Sequence, residues 1–222
     1  MLLQHNKLII LALFLSLVFA QEKEIKKIVA DFTEFDRRNN VVRFFGNVKI
    51  EHINGWITCD KAVYDEKNGK LNCDTNVFFV YTSTAEYIEV KSVILGYDVN
   101  QKLLNFVKNV SAVYSALKRE QDVLFDKISL TSENFVINLD TKNIIARDNV
   151  IVDFQGNKIF CHIAKYDYKE NIFKINDEVE KNQLRFEFVK EEWKIKYCQA
   201  NTAVVNINEN KILLKGKVEI VF

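Results

Sequence analysis

The residues of this sequence that could supply nucleophiles or redox chemistry are its four cysteines, Cys59, Cys73, Cys161 and Cys198. An even number of cysteines permits disulfides in an oxidising compartment, and Cys59 and Cys73 flank one predicted hairpin. However, Cys59 and Cys161 also fall on the apolar phase of their predicted strands, where a thiol packs as a small hydrophobic group. The pattern is therefore consistent with disulfides and with simple packing.

Motifs for metal binding and catalysis are missing from the sequence. Cys161 and His162 are adjacent and would point to opposite faces of a strand, and no CxxC or HxxxH spacing occurs. Nothing resembles a nucleophile elbow, a phosphate loop or a dinucleotide motif. Asp65, Asp98 and Asp167 recur at one place in a repeat, which is typical of turn capping. We predict no enzymatic activity, no catalytic residue, no metal site and no cofactor.

The whole chain is predicted to form short strands in which apolar and polar residues alternate. The pattern is clearest from Gly46 to Val77, GNVKIEHINGWITCDKAVYDEKNGKLNCDTNV. Apolar and polar residues alternate along it, and Asn54-Gly55 and Asn68-Gly69 break the alternation, which is the strongest hairpin signal in a sequence. Gly46-Asn47 opens this unit and Thr75-Asn76 closes it. The segment predicts strand, turn, strand, turn, strand.

The same pattern returns, in degenerate form, to the last residue of the chain. Valines recur at intervals of about 29 to 40 residues, a spacing typical of stacked repeats. Most of them directly follow a polar residue or glycine and then an Asn or Lys. These valines are Val48, Val77, Val110, Val150, Val179 and Val218. The 222 residues are 48% hydrophobic and include no proline. No predicted strand therefore contains a residue without a backbone amide donor. The sequence predicts an all-β protein with a single domain over residues 21–222.

The first residues read as a targeting segment. Lys7 precedes an apolar run from Leu8 to Phe19, and Val18 and Ala20 fit the small-residue rule for cleavage. We predict a signal peptide over residues 1–20 that is removed after Ala20. The alternative is an uncleaved anchor, although the run is short for a bilayer span of about 20 residues. Either reading predicts export across a membrane.

The unit from Gly46 to Val77 resembles the repeat of the OstA-like family of lipopolysaccharide-transport proteins, in which a Gly-Asn-Val step, a strand and an Asn-Gly turn succeed one another. Cys59 stands where the family usually has a small Ala. The resemblance covers residues 30–222 and implies a partly open β-jellyroll of stacked antiparallel strands in the periplasm. It also implies that the protein carries the acyl chains of lipopolysaccharide or lipid A in its interior and bridges the inner and outer membranes.

Acyl chains cost about 0.8 kcal/mol per methylene in water, so their transport needs a continuous apolar trough. The inward phase of the predicted strands would supply it, and for each of its residues the alternative is a packed core without ligand. The predicted lipid-binding residues are Val48, Ile50, Ile57, Val77, Phe79, Phe135, Ile137, Val150, Val152, Phe154, Ile159 and Ile163.

The C-terminal segment predicts a contact with partners. Val218, Ile220 and Phe222 share one phase of a final strand that has no proline to block pairing, so it could add to a strand of another OstA-like domain, head to tail. The alternative is a strand paired within its own sheet. Two other functions stay open: an inner-membrane-anchored component of the same transport system, and a structural β-repeat protein of the envelope that binds no lipid.

Overall fold

The computed structural model describes residues 25–84, 86–116, 127–154, 156–176, 184–188, 195–206, 208–209 and 211–222. The predicted signal peptide and Val179 lie outside these residues. No membrane-spanning helix is found in the described part of the chain. The strands there are β1 (Ile25–Val29), β2 (Phe32–Asp36), β3 (Val41–His52), β4 (Gly55–Asp65), β5 (Lys70–Thr82), β6 (Glu86–Asp98), β7 (Leu103–Ala116), β8 (Lys127–Asn138), β9 (Ile144–Phe154), β10 (Asn157–Asp167), β11 (Ile172–Ile175), β12 (Leu184–Glu187), β13 (Tyr197–Ala200), β14 (Thr202–Asn206), β15 (Lys211–Lys215) and β16 (Glu219–Val221).

These sixteen strands form one antiparallel sheet in which β3 to β11 follow each other as a meander. The repeated aspartates cap its turns, as predicted from the sequence. The Asp65 carboxylate accepts a hydrogen bond from the Asn68 amide at 3.0 Å, and Asp98 accepts one from the Gln101 amide at 3.0 Å. Such side-chain bonds satisfy amides that the tight turn leaves without a ladder partner.

A β-bulge interrupts every second long strand, β3, β5, β7 and β9, near its middle. Each bulge contains two successive residues with positive φ: Gly46-Asn47, Thr75-Asn76, Lys108-Asn109 and Asp148-Asn149. The steps that open and close the predicted repeat units lie inside strands, since β3 and β5 run through them without a turn. Glycine and asparagine tolerate the left-handed conformation in turns and in bulges alike, so the residue types do not separate the two.

On the strands between them, a small residue faces each bulge. Val48 pairs with Cys59, Val77 with Ser92 and Val110 with Ser132. Cys59 Sγ donates to the Lys61 carbonyl at 3.1 Å, and the Ser92 and Ser132 hydroxyls donate at 3.0 Å to the carbonyls of Ile94 and Asn134. Cys59 is therefore one copy of a repeated position that holds the bulge.

The bulges align into a crease that divides the sheet into two leaves. The first leaf consists of β1, β12, β13, β16 and the halves of β3 to β10 that lie on the same side of the crease as these four strands. The second leaf consists of β2, β11, β14, β15 and the other halves. The division is visible at both ends: β1 and β2 pair with different halves of β3, and β12 and β11 pair with different halves of β10.

The two leaves face each other across one apolar core, as a jellyroll requires. Phe79 of the first leaf and Phe106 of the second leaf have ring centroids 5.6 Å apart and are both buried. Fully burying a side chain of this size contributes about 1.5–3 kcal/mol. This contact between the leaves confirms the all-β fold with an inward apolar phase.

Candidate functional site

The interior between the leaves holds all but one of the predicted lipid-binding residues. Each of them belongs to the apolar core and is at most 4% exposed. They come from both leaves, since alternate residues of each strand point inward. These residues are Val48, Ile50, Ile57, Val77, Phe79, Phe135, Ile137, Val150, Val152, Phe154 and Ile159.

The exception is Ile163, whose predicted place in the interior was wrong. The register of β10 shifts between Cys161 and Ile163, and Ile163 pairs with Arg147. The next residue, Ala164, pairs with Ala146, and both belong to the core, whereas Ile163 is buried outside it. The extra residue of this bulge lies on β9, where Ala146 and Val150 both face the core with one residue more between them than their partners Ala164 and Cys161 have. The inward phase of β10 therefore moves by one residue here.

The apolar interior reaches both ends of the molecule, where its residues become exposed. At the N-terminal end, Phe35 of β2 pairs with Val42 on the inward phase of β3 and is 69% exposed. At the C-terminal end, Ile220 of β16 pairs with buried Cys198, yet Ile220 is 45% exposed and Phe222 is 72% exposed. The end strands have neighbours on one side only, so their inward faces are uncovered.

The predicted partner edge coincides with this C-terminal end. Within the described residues, β16 pairs with β13 and with no other strand. Val218, which follows the positive-φ pair Gly216-Lys217, is 48% exposed. The edge therefore presents free backbone groups beside exposed apolar side chains, which suits addition of a strand.

A polar cluster that sequence analysis missed joins the leaves on the side away from the crease. Lys142 lies between β8 and β9 in the second leaf, and its ammonium group forms an ion pair with Glu86 at the start of β6 in the first leaf. The same nitrogen lies 3.3 Å from the Tyr168 hydroxyl and 4.5 Å from the centroid of that ring. Glu86 is only 2% exposed.

Electrostatics keep this lysine charged. Burial lowers the pKa of Lys142, but its hydrogen bonds with Glu86 and Tyr168 have the opposite and stronger effect, and the pKa lies above the ordinary value. A buried carboxylate is costly without a cation beside it, so each group stabilises the other. Because residues 86 and 142 are far apart in sequence, no local pattern indicates the pair.

A second contact between the leaves lies further along the same side. His52 ends β3 in the first leaf, and Tyr97 lies near the end of β6 in the second leaf. The His52 Nε2 atom is 3.3 Å from the Tyr97 hydroxyl, and the rings are arranged edge to face with centroids 6.0 Å apart. Both residues are buried.

The cysteines are all thiols in the structure. A hydrogen bond with Cys73 is the main influence that lowers the pKa of Cys59, and the same contact raises the pKa of Cys73 well above its usual range. Burial raises the pKa of Cys161 to about 12. Among the described residues, no group of three or more His, Cys, Asp and Glu side chains is placed to hold a metal ion.

Comparison with known proteins supports the fold. No protein-family model and no curated protein sequence matches the chain. Among solved structures, it is similar to LptH of Pseudomonas aeruginosa, described as the LptA-homologous periplasmic component of the lipopolysaccharide transport device. The TM-score is 0.51 at 12% identity, over 60% of this chain and 96% of LptH. At this identity the likeness shows that the two chains share a jellyroll fold.

Proposed function

We propose that this protein is a periplasmic lipopolysaccharide-binding component of an LptA-like transport bridge between the inner and outer membranes. Acyl chains of lipid A would lie between the two leaves and move into the interior of the next domain. The protein would act as a passive carrier without enzymatic activity, and the motor would reside elsewhere.

The observation that carries this proposal is the apolar interior that runs through the molecule and emerges at both ends. Phe35 marks one end, and Ile220 and Phe222 mark the other. A closed core of a self-contained domain does not leave inward-facing side chains exposed at its ends. The shared fold with LptH, itself described as part of a lipopolysaccharide transport device, supports the same function.

Head-to-tail addition of β16 to the β1–β2 end of another OstA-like domain would join successive interiors. Exposed edges on both end strands and their uncovered apolar faces support this arrangement. Because the edges differ, repeated addition builds an open filament rather than a closed pair.

Export by a cleavable signal peptide completes the proposal. We expect Gln21 as the first residue of the mature protein, which N-terminal sequencing of periplasmic material would show. A retained N-terminal segment would instead indicate the membrane-anchored component of the same transport system.

Photo-crosslinking to lipopolysaccharide tests the proposal directly. A photoreactive residue replaces in turn Leu130 and Ile159, which face inward, and their exposed neighbours Thr131 and Lys158. We expect crosslinks from the inward positions alone, because the acyl chains contact only that phase. Equal labelling of both phases, or none in folded protein, would leave a structural β-repeat protein, which the tight interior contact of Phe79 with Phe106 also allows.

A further inference from the structure

The leaves meet along a line opposite the crease, which we call the seam, and backbone hydrogen bonds do not hold it in the described residues. The bonds between neighbouring strand ends and turns stay within one leaf: the Thr82 amide donates to the Asn54 carbonyl at 2.8 Å in the first leaf. In the second leaf, the Leu139 amide donates to the Lys102 carbonyl at 2.9 Å. Separating the leaves at the seam would therefore leave every ladder intact.

The crease opposite the seam has the features of a hinge. Its paired left-handed residues interrupt the ladder, as between Asp74 and Val77 of β5, so adjustment there does not require breaking regular pairing. Hinges in proteins are commonly a few residues that absorb a change of φ and ψ. A small rotation at many aligned bulges would widen the whole seam.

The closed interior has no room for several acyl chains beside its own side chains. Ile50, Phe79 and Ile137 are each at most 1% exposed, and Phe79 contacts Phe106 across the interior. Interiors of this kind are packed as densely as organic crystals. If lipid binds between the leaves, the leaves must move apart first.

At the seam, the ion pair of Glu86 and Lys142 resists this movement, in addition to the contact of His52 with Tyr97. Glu86 comes from the first leaf and is 2% exposed, and Lys142 comes from the second leaf and is 30% exposed. Tyr168, whose hydroxyl contacts the Lys142 ammonium group, belongs to the second leaf as Lys142 does. Opening the seam would separate a buried carboxylate from its cation, which is unfavourable until water or a ligand reaches both groups.

We propose that the seam is the lateral route by which acyl chains pass between the leaves, and that the Glu86–Lys142 pair is the latch that keeps it closed. This proposal rests on the proposed lipid-binding function and adds the feature that regulates entry of the lipid. The latch prevents the apolar interior from opening to water when no lipid is present.

A covalent seam lock tests the proposal. In a background with the four native cysteines replaced by serine or alanine, Glu86→Cys and Lys142→Cys are joined by a short bis-maleimide. The matched control joins Tyr87→Cys to Ser115→Cys, which pair directly on neighbouring strands of the first leaf. The readout is the rate at which each protein takes up purified lipid A from detergent, with circular dichroism to show that each is folded.

We expect the seam lock to slow uptake at least tenfold relative to the same protein before cross-linking, while the control cross-link changes the rate less than twofold. Equal uptake by locked and unlocked protein would overturn the lateral route and leave the proposed function standing. If neither the wild type nor any unlocked protein takes up lipid A, the proposed function fails and the latch fails with it.

Charge substitution gives a second test without cross-linking. Glu86→Gln removes the charge and keeps the shape, and we expect uptake about tenfold faster because a charge-assisted hydrogen bond is lost. The exchange Glu86→Lys with Lys142→Glu restores the pair with reversed polarity and should return the rate to that of the wild type. A Glu86→Gln rate equal to the wild-type rate would show that the pair is not a latch.

Discussion

At the scale of single residues, the asparagines of the crease show how the sequence bends every second long strand. Asn76 has a φ of 53°, and its side chain donates to Asp60 at 2.8 Å. Asn47 has a φ of 44° and donates to Asp31 at 2.9 Å. Asparagine serves both needs, because it tolerates the left-handed region and donates to an acceptor on a neighbouring segment of the chain.

Replacing Asn76 separates these two contributions. We expect Asn76→Ala to lower the free energy of unfolding by about 1–2 kcal/mol, because alanine is strained at positive φ. Asn76→Gly keeps the conformation and loses only the exposed hydrogen bond, so it should cost less than half as much. Urea denaturation measures both. Equal losses would show that the hydrogen bond, and not the backbone, is what matters.

The chemistry of Cys161 predicts a pH dependence. Burial raises its pKa to about 12, so the thiol stays neutral well above the ordinary value near 8.5. Since the thiolate is the nucleophile, iodoacetamide should modify Cys161 in the folded protein about tenfold faster for each pH unit from 8 to 10. Peptide mass spectrometry follows the rate. A rate that levels off near pH 9, as in unfolded protein, would contradict the raised pKa.

Some residue-scale features follow from the sequence and others do not. The capping role of Asp65 was predictable, because an aspartate before a polar turn bonds amides of its own segment. The pairing of Glu86 with Lys142 was not, because neither residue carries a local signal for a partner in the other leaf. Local hydrogen bonds leave a pattern in the sequence, whereas contacts between leaves depend on the bend.

At the scale of the elements, the bulge decides which predictions hold. Alternation placed Ile57 and Ile159 in the core correctly, since neither pattern has to cross the crease. Ile163 failed because the alternation of β10 was extended past the bulge of the neighbouring strand β9. A repeat of the form Asn-Val shows that the chain needs positive φ at that point but not whether the strand ends or continues there. The register across the crease therefore requires the structure.

The end strand β16 carries the prediction for assembly. We expect the wild type to associate with increasing concentration, and Ile220→Lys with Phe222→Lys to keep it monomeric, because two charges would be buried at the joint. Leu213→Lys is the matched control: Leu213 is also 45% exposed but lies on β15 between the inward-facing Ile212 and Leu214 and so points outward. Analytical ultracentrifugation compares the three proteins. Loss of association in the Leu213 variant as well would place the interface elsewhere.

At the scale of the whole molecule, the fold is a row of equivalent pairs of bent strands with a shared interior. β7 stands two strands after β5 and has the same pairing pattern: Lys70 pairs with Asp65, and Leu103 pairs with Asp98. Both strands have their bulge at the same distance from the turn, at Thr75-Asn76 and Lys108-Asn109. The sequence repeat therefore corresponds to a structural unit that could be removed without changing the register of the rest.

Deletion of Glu66 to Asp98 tests this equivalence. It joins Asp65 to Val99, so that the turn before β7 replaces the turn before β5 and β4 pairs with β7 instead. We expect a folded, shorter jellyroll with the circular dichroism of a β-protein and one cooperative unfolding transition. Its urea m-value should be smaller, because less surface is buried. Stability should also fall, since each repeat contributes an interface with its neighbours.

The matched control deletes Asn72 to Leu103, one residue fewer, and joins Leu71 directly to Leu104. Both leucines face the interior of the intact protein. Placed in succession on one strand, they must point to opposite faces, and every residue on one side of the junction then exchanges inside and outside as far as the next bulge. This variant should fail to fold although it keeps more of the chain. If both deletions unfold the protein, the units depend on contacts across the seam more than on their own pairing.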